Sequence, residues 1–318
     1  MKWRKLRKIF DPTEYELPNN CKEYAQSPQT LIFDNFVRIY FSTRQRDFSS
    51  GKFLSHISFI DVDKSFNTVM NISNREVVEL GRLGTFDEHG IFPINMLRVD
   101  SKIYAYTCGW SRRVSVSVET SIGLAFSDDN GMTFEKFGNG PILTSSINEP
   151  FLVGDAFVNY FQNKFHMWYI YGTRWVNNEI EETARVYKIG HAISNDGITW
   201  ERDGTQLIED KLNADECQAL PTVIYLDRKY HMFFCYRESI GFRSNRNRSY
   251  RIGYAHSVDL VNWTRDDLNV GIDVSENSWD SDMICYPHVF HCNGEVYMLY
   301  NGNEFGRFGF GIAILERN

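Results

Sequence analysis

The 318-residue sequence contains no unbroken apolar run of 18 residues, which removes a membrane-spanning helix from consideration. The N-terminal segment, residues 1–10, is basic, yet no apolar stretch of about seven residues follows it, so the core of a secretory signal is missing and a cytoplasmic protein is expected. Cys-x-x-Cys spacing is absent as well. The six cysteines (Cys21, Cys108, Cys217, Cys235, Cys285, Cys292) stand in apolar, strand-like surroundings; they are expected as buried free thiols, with no resident metal or cofactor. Positive charge is scarce: 34 Lys and Arg against 41 Asp and Glu leave a net charge of −7, which argues against nucleic acid or an anionic membrane as the main partner. No window carries a 3.6-residue apolar period of helical length, and no Pro- or Ser-rich linker interrupts the chain. One all-β domain over residues 1–318 is the expectation, and oligomeric state has no signature in the sequence.

Aromatic residues, by contrast, are abundant at 15%, and they fall in a repeat. An apolar strand, a polar turn and an aromatic-rich strand follow one another in Pro221-TVIYLDRKYHMFFCYRES. The pattern returns from Pro28, Pro93, Ala156 and Pro287, so successive anchors are separated by 65, 63, 65 and 66 residues. A second module continues the repeat, clearest in Ile189-GHAISNDGITW, Ile252-GYAHSVDLVNW and Ile122-GLAFSDDNGMTF. Alternating apolar residues, an Asp/Asn/Gly turn and an aromatic residue opening the next strand mark hairpins. Each repeat therefore reads as four short antiparallel strands, and five such units arranged radially make a five-bladed β-propeller. Blades are expected near 24–85, 86–147, 148–212, 213–276 and 277–318. The last repeat lacks a fourth strand, whereas residues 1–10 supply an orphan one, Trp3-RKLRKIF, similar to Trp200-ERDGTQLI. The N-terminal strand is expected to close the last blade and remove its free edge.

The innermost strands of a propeller line its channel, so the segments ahead of the five anchors gather at the entrance. Five residues before four of the anchors stand Glu23, Glu88, Glu216 and Asp282, with Asp87, Glu149, Asp155, Asp215 and Asp280 close by. Such acids can cap turns. Alternatively, like charges converging on one funnel raise one another's pKa and equip one of them as a general acid; Glu is a poor turn former, which favours this second reading. Arg44, Arg174 and Arg237 share a place at the end of the second strand, where they could pair with these acids or fork onto a substrate carboxylate or phosphate. Trp279, beside Asp280, is set to stack on a sugar ring, while Trp110 and Trp175 fit stacking or core. His89, His288 and Glu304 complete the candidate ligand set.

The repeat Asp155-AFVNYFQNKFHMWYIYGT and the hairpins SNDGITW and SVDLVNW resemble the five-bladed propeller glycosidases, the superfamily of glycoside hydrolase families 43, 62, 32, 68 and 130. Asp155-Ala156 falls where that superfamily carries a catalytic Asp-Pro, and Glu216-Cys217 resembles the Glu-Cys of its invertase-like members. Asp155, Asp87 and Glu216 then become the catalytic trio: Glu216 the general acid, one Asp the base or nucleophile, the other the residue that holds up the acid's pKa. The resemblance implies a carbohydrate substrate cleaved by carboxylate catalysis. Two alternatives stay open: an inverting glycoside phosphorylase whose arginines cradle phosphate, and a non-catalytic glycan-binding propeller of surface-polysaccharide metabolism. The turn Ser127-DDNGMTF is close to the Asp-box of sialidases, a turn-stabilising feature remote from their active sites.

Overall fold

In the computed structural model, which describes residues 1–177 and 183–316, the alternating segments form strands and almost no helix. The N-terminal strand is β1 (Trp3–Phe10). The first repeat holds β2 (Glu23–Ile32), β3 (Phe36–Arg46), β4 (Phe53–Asp63) and β5 (Val69–Ile72). The second holds β6 (Gly90–Val99), β7 (Lys102–Arg112), β8 (Val118–Ser127) and β9 (Glu135–Lys136). The third holds β10 (Val153–Phe161), β11 (Lys164–Val176), β12 (Ala184–Ser194) and β13 (Glu201–Arg202). The fourth holds β14 (Cys217–Leu226), β15 (Lys229–Arg237), β16 (Arg251–Ser257) and β17 (Thr264–Arg265), and the fifth β18 (Cys285–Cys292), β19 (Glu295–Asn301) and β20 (Phe310–Leu315). Within each repeat the strands pair antiparallel in chain order. The first two repeats are joined by a single parallel bridge, Ser55 to Gly90. β1 pairs antiparallel with β20, from Trp3 opposite Leu315 to Phe10 opposite Phe310, so the N-terminal strand supplies the fourth member of the last sheet.

The hairpin grammar has a visible cause. In the turn after β12, the Ser194 hydroxyl donates to Asp196 and accepts the Gly197 N–H, while Asp196 accepts the N–H groups of Ile198 and Thr199. Ser257 and Asp259 repeat the arrangement after β16, and Ser127 and Asp129 after β8. These hydrogen bonds favour the charged carboxylate and hold Asp196 down at about 2. Tyrosines of the preceding repeat pin two of these turns: Tyr40 donates to the Gly131 carbonyl at 2.7 Å and Tyr106 to that of Gly197 at 3.0 Å.

The apolar faces pack between sheets of successive repeats. Tyr40 and Phe59 of the first repeat meet Ile91 and Ile94 of the second, and Trp168 and Ile189 of the third meet Met232 and Phe234 of the fourth. The last such layer joins Phe290, Leu299 and Phe310 to Val37, Ile39 and Phe41, so the fifth repeat packs on the first. Correspondingly, the first strands touch in the order β2, β6, β10, β14, β18 and back to β2. Side chains tie them: Asn95 donates to Gln29 and accepts the Val158 N–H, Thr222 accepts the Val289 N–H, and His288 accepts the Thr30 N–H. Burial drops the His288 imidazole to about 3, which keeps it neutral for that role.

Candidate active site

Each first strand carries the same irregularity. Its ladder slips between Gln26 and Gln29, Ile91 and Ile94, Gly154 and Phe157, Ala219 and Thr222, and Cys285 and His288. A bulge of this kind re-aims the side chains around it. At four of the five the residue before the anchor has left-handed backbone: Ser27 (φ 54°), Asp155 (φ 52°), Leu220 (φ 48°) and Tyr286 (φ 56°). Non-glycine residues in that region cost of order 1–3 kcal/mol each and collect at functional sites. A pocket of about 530 Å³ opens at this level, and every repeat contributes to it: Tyr24 and Gln26, Phe92, Asp155, Ala219, and Tyr286 all line it.

Asp155 is the buried acid of this pocket, with 8% of its surface exposed. Burial pushes its carboxyl up to about 7, against the nearby Arg185 guanidinium and a hydrogen bond from the Leu220 N–H. The thiols of Cys108 and Cys235 lie close to it and are themselves raised, chiefly by burial and secondarily by its charge. Cations share the pocket with Asp155. Arg44 from β3, Arg185 from β12, Arg237 from β15 and Arg243 from the following loop line the same pocket. Arg237 is buried in an aromatic cage, 3.6 Å from the Phe242 ring centre, and donates to the Tyr187 hydroxyl at 2.8 Å. Tyr187 and Tyr250 continue the network, their hydroxyls 2.9 Å apart. The third strands also share a register here. Ser55, Thr120, Tyr187 and Tyr250 each stand two residues ahead of Ile57, Ile122, Ile189 and Ile252, and all four line the pocket.

Of the residues expected from sequence, the pocket gathers Asp155, Arg44, Arg237 and Glu304. Glu304 reaches it on a short turn, Asn303–Gly306, and is paired with Arg307 at 3.0 Å; the same arginine pairs with Glu23 at 2.7 Å, and Glu23 is outside the lining. Glu216 and Asp87 are outside it. The Glu216 carboxylate is fully buried and accepts from Arg265 (2.6 Å), Gln218 (3.0 Å) and the N–H groups of Lys211 and Leu212 (2.9 Å each), which leaves it no capacity for substrate. Asp87 is bound to Lys136 at 2.5 Å and to Thr85. These are two of a set. Glu149 pairs with Arg202 at 2.7 Å and Asp280 with Lys5 at 2.6 Å, so in four repeats a buried acid ahead of the first strand meets a base on the fourth strand of its own sheet. Glu216 and Asp87, with Glu149 and Asp280, are therefore held as structural struts, and of the acids five residues before the anchors Glu216 alone belongs to this set.

The remaining expected ligands are also placed elsewhere. Arg174 lies two residues beyond the position equivalent to Arg237, past a slip in the β11–β12 ladder, and pairs with Asp215. Trp279 stacks on Tyr300 (5.3 Å) in a space left by Gly302 and Gly311, where a Cβ would meet its ring; it is partly buried against the core and outside the pocket. Glu88 accepts the Gly84 N–H, Asp282 is exposed, and His288 joins the first strands. His89 stacks on Trp110, which does line the pocket, at 5.9 Å. Among the described residues no cluster of His, Cys, Asp and Glu could hold a metal ion. All six cysteines are buried and free.

The chain matches no family model. Its fold is similar to that of a glycoside hydrolase (TM-score 0.74, 16% identity, covering 99% of this chain and 93% of that one). It is also similar to a thermostable family-43 glycoside hydrolase (TM-score 0.66, 13% identity, 92% and 90% covered). A third likeness is to a structure from the GH130 family of mannoside phosphorylases, which contains glycoside hydrolases that target β-1,2 mannosidic linkages (TM-score 0.70, 11% identity, 99% and 93% covered). The resemblance to the propeller glycosidases thus stands at the level of fold. In sequence, the chain is 32% identical over 317 residues to the uncharacterized proteins MT1551 and Rv1502 of Mycobacterium tuberculosis, covering 99% of this chain and 100% of each of them. With identity at that level over the full length of both partners, the chain belongs to the family of these mycobacterial proteins.

Proposed function

We propose that the chain is one five-bladed propeller domain that cleaves a glycosidic bond of an oligo- or polysaccharide in this pocket, with Asp155 as general acid. The observation that carries the reading is the Asp155 carboxyl, raised to about 7 by burial inside a pocket to which all five repeats contribute. A carboxylic acid still protonated near neutral pH can give its proton to a leaving glycosidic oxygen. Glu304 is the other carboxylate lining the pocket among the described residues, and in hydrolysis we assign it the activation of water. The aromatic faces of Trp110, Tyr24 and Phe242 suit sugar rings. The fold-level likeness to glycoside hydrolases supports the same reading.

A second reading, phosphorolysis, is favoured by the arginines: Arg44, Arg185 and Arg237 form no ion pair among the described residues and could cradle an attacking phosphate. A panel of synthetic glycosides with and without inorganic phosphate, assayed for the released aglycone, separates the two. Release without phosphate supports hydrolysis; release that requires phosphate and yields a sugar phosphate supports phosphorolysis. Ligand binding with no release in either arm would make the pocket a lectin-like site and overturn the enzymatic reading.

A further inference from the structure

We propose that the pocket takes an acidic sugar, a hexuronate unit whose carboxylate is held by Arg44 and Arg185 beside Asp155. The inference rests on the glycoside-cleaving reading and names its substrate class. Acidic side chains outnumber basic ones in this chain, 41 to 34, and its buried arginines elsewhere are matched: Arg38 with Asp61 at 2.6 Å, Arg202 with Glu149 at 2.7 Å, Arg265 with Glu216 at 2.6 Å. In the pocket, Arg44 and Arg237 meet no acidic partner among the described residues. Arg44 spends its Nε on Gln26 at 3.1 Å and lies 5.0 Å from the Tyr24 ring centre. Arg237 is 4% exposed, and its Nε has no hydrogen-bond partner among the described residues. A buried guanidinium without a counter-charge is costly, and the cost is offset when a bound anion supplies the missing partner. Burial, and behind it the like charges of Arg185 and Arg243, lower Arg44 from its ordinary value despite the opposing influence of Tyr24 and Tyr286. Arg44 and Arg185 thus come from different repeats to line one pocket, where a ligand carboxylate would supply a counter-charge to both.

The shared lining of Arg185 and Asp155 favours an anion on the sugar over an attacking phosphate. In an inverting displacement the nucleophile approaches the anomeric carbon from the face opposite the leaving oxygen, hence opposite the general acid. Arg185 lines the same pocket as Asp155 and its charge acts on that carboxyl, so we assign an anion bound there to the acid's side of the sugar. That is the place of a ring substituent rather than of the nucleophile.

The test is a set of calorimetric titrations of the intact protein with paired methyl glycosides, glucuronoside against glucoside and galacturonoside against galactoside, in both anomeric forms, with a parallel titration of inorganic phosphate. At least one uronoside should bind about tenfold or more tightly than its neutral twin, equivalent to about 1.4 kcal/mol. Raising salt should weaken the uronoside alone. Arg44→Gln and Arg185→Gln should each remove most of the preference while thermal unfolding remains cooperative, and Arg44→Lys should keep part of it. Neutral twins binding equally well, or no uronoside binding at all, overturns the proposal. So does phosphate-dependent cleavage of neutral glycosides, which would leave glycoside cleavage standing. An acidic preference without cleavage of any glycoside would sink the proposed activity and leave the acidic ligand standing.

Discussion

Asp155 and Glu216 are buried acids at the leading ends of neighbouring first strands, and the protein treats them in opposite ways. Glu216 has Arg265 and three further donors on its two oxygens. Asp155 has one backbone hydrogen bond and a nearby arginine, which are too little to offset burial, and its proton stays on up to about pH 7. The same chemical group thus serves as a strut where a base from the fourth strand reaches it and as a potential proton donor where none does. Burial alone does not mark a catalytic acid; burial without sufficient donors does.

The largest effect expected from breaking this contrast is on turnover. Asp155→Asn should lower cleavage of the cognate glycoside by about a thousandfold, measured as kcat on whichever glycoside the panel identifies, with ligand binding retained; near-normal turnover would remove Asp155 from the acid role. Glu216→Ala should instead act on stability. It strands a buried Arg265, a loss of about 3–5 kcal/mol in denaturant unfolding, and a variant as stable as wild type would show that the strut carries no load.

A smaller effect separates the two acids by pH. Asp155 titrates near 4 in the unfolded chain and near 7 when folded. Between those values the folded protein holds a proton that the unfolded chain has released, so stability falls as pH rises through this window, by at most about 1.4 kcal/mol per pH unit. Asp155→Asn should abolish that decline, read as the pH dependence of Tm. The hairpin carboxylate behaves in the reverse sense. Asp196, held at about 2 by its hydrogen bonds, stabilises above the usual carboxyl range and loses that contribution as pH falls towards 2. Asp196→Ala is the mildest change: Tm should drop by about one or two degrees with turnover untouched.

Much of the fold was legible because hairpins announce themselves locally. The Ser-x-Asp turns, the period of the anchors and the orphan strand at Trp3 each depend on neighbouring residues, and β1 does pair with β20 as expected. The site was legible only in part. Asp155, Arg44 and Arg237 stand where the repeat aims them, Glu304 arrives on the turn after β19, and all four reach the pocket. The acids Asp87, Glu149 and Glu216 were visible too, but their partners Lys136, Arg202 and Arg265 sit on strands two residues long, too short to leave a periodic signal. Counting five residues back from each anchor also crossed the bulge, and a bulge changes which face a side chain takes. The residue immediately before the anchor was the informative register. Arg185 and Tyr187 were missed because the third-strand module was read from Ile189 onward; the positions two and four residues earlier face the pocket.

The titration of the Asp155 carboxyl itself tests the account most directly, because it needs no knowledge of the substrate. A ¹³C carboxyl titration of the wild-type protein, with the Asp155 signal assigned by its absence in Asp155→Asn, should place the midpoint near pH 7. A midpoint near 4, the ordinary value for aspartate, would mean that the pocket does not hold Asp155 as an acid and would contradict the mechanism proposed for it.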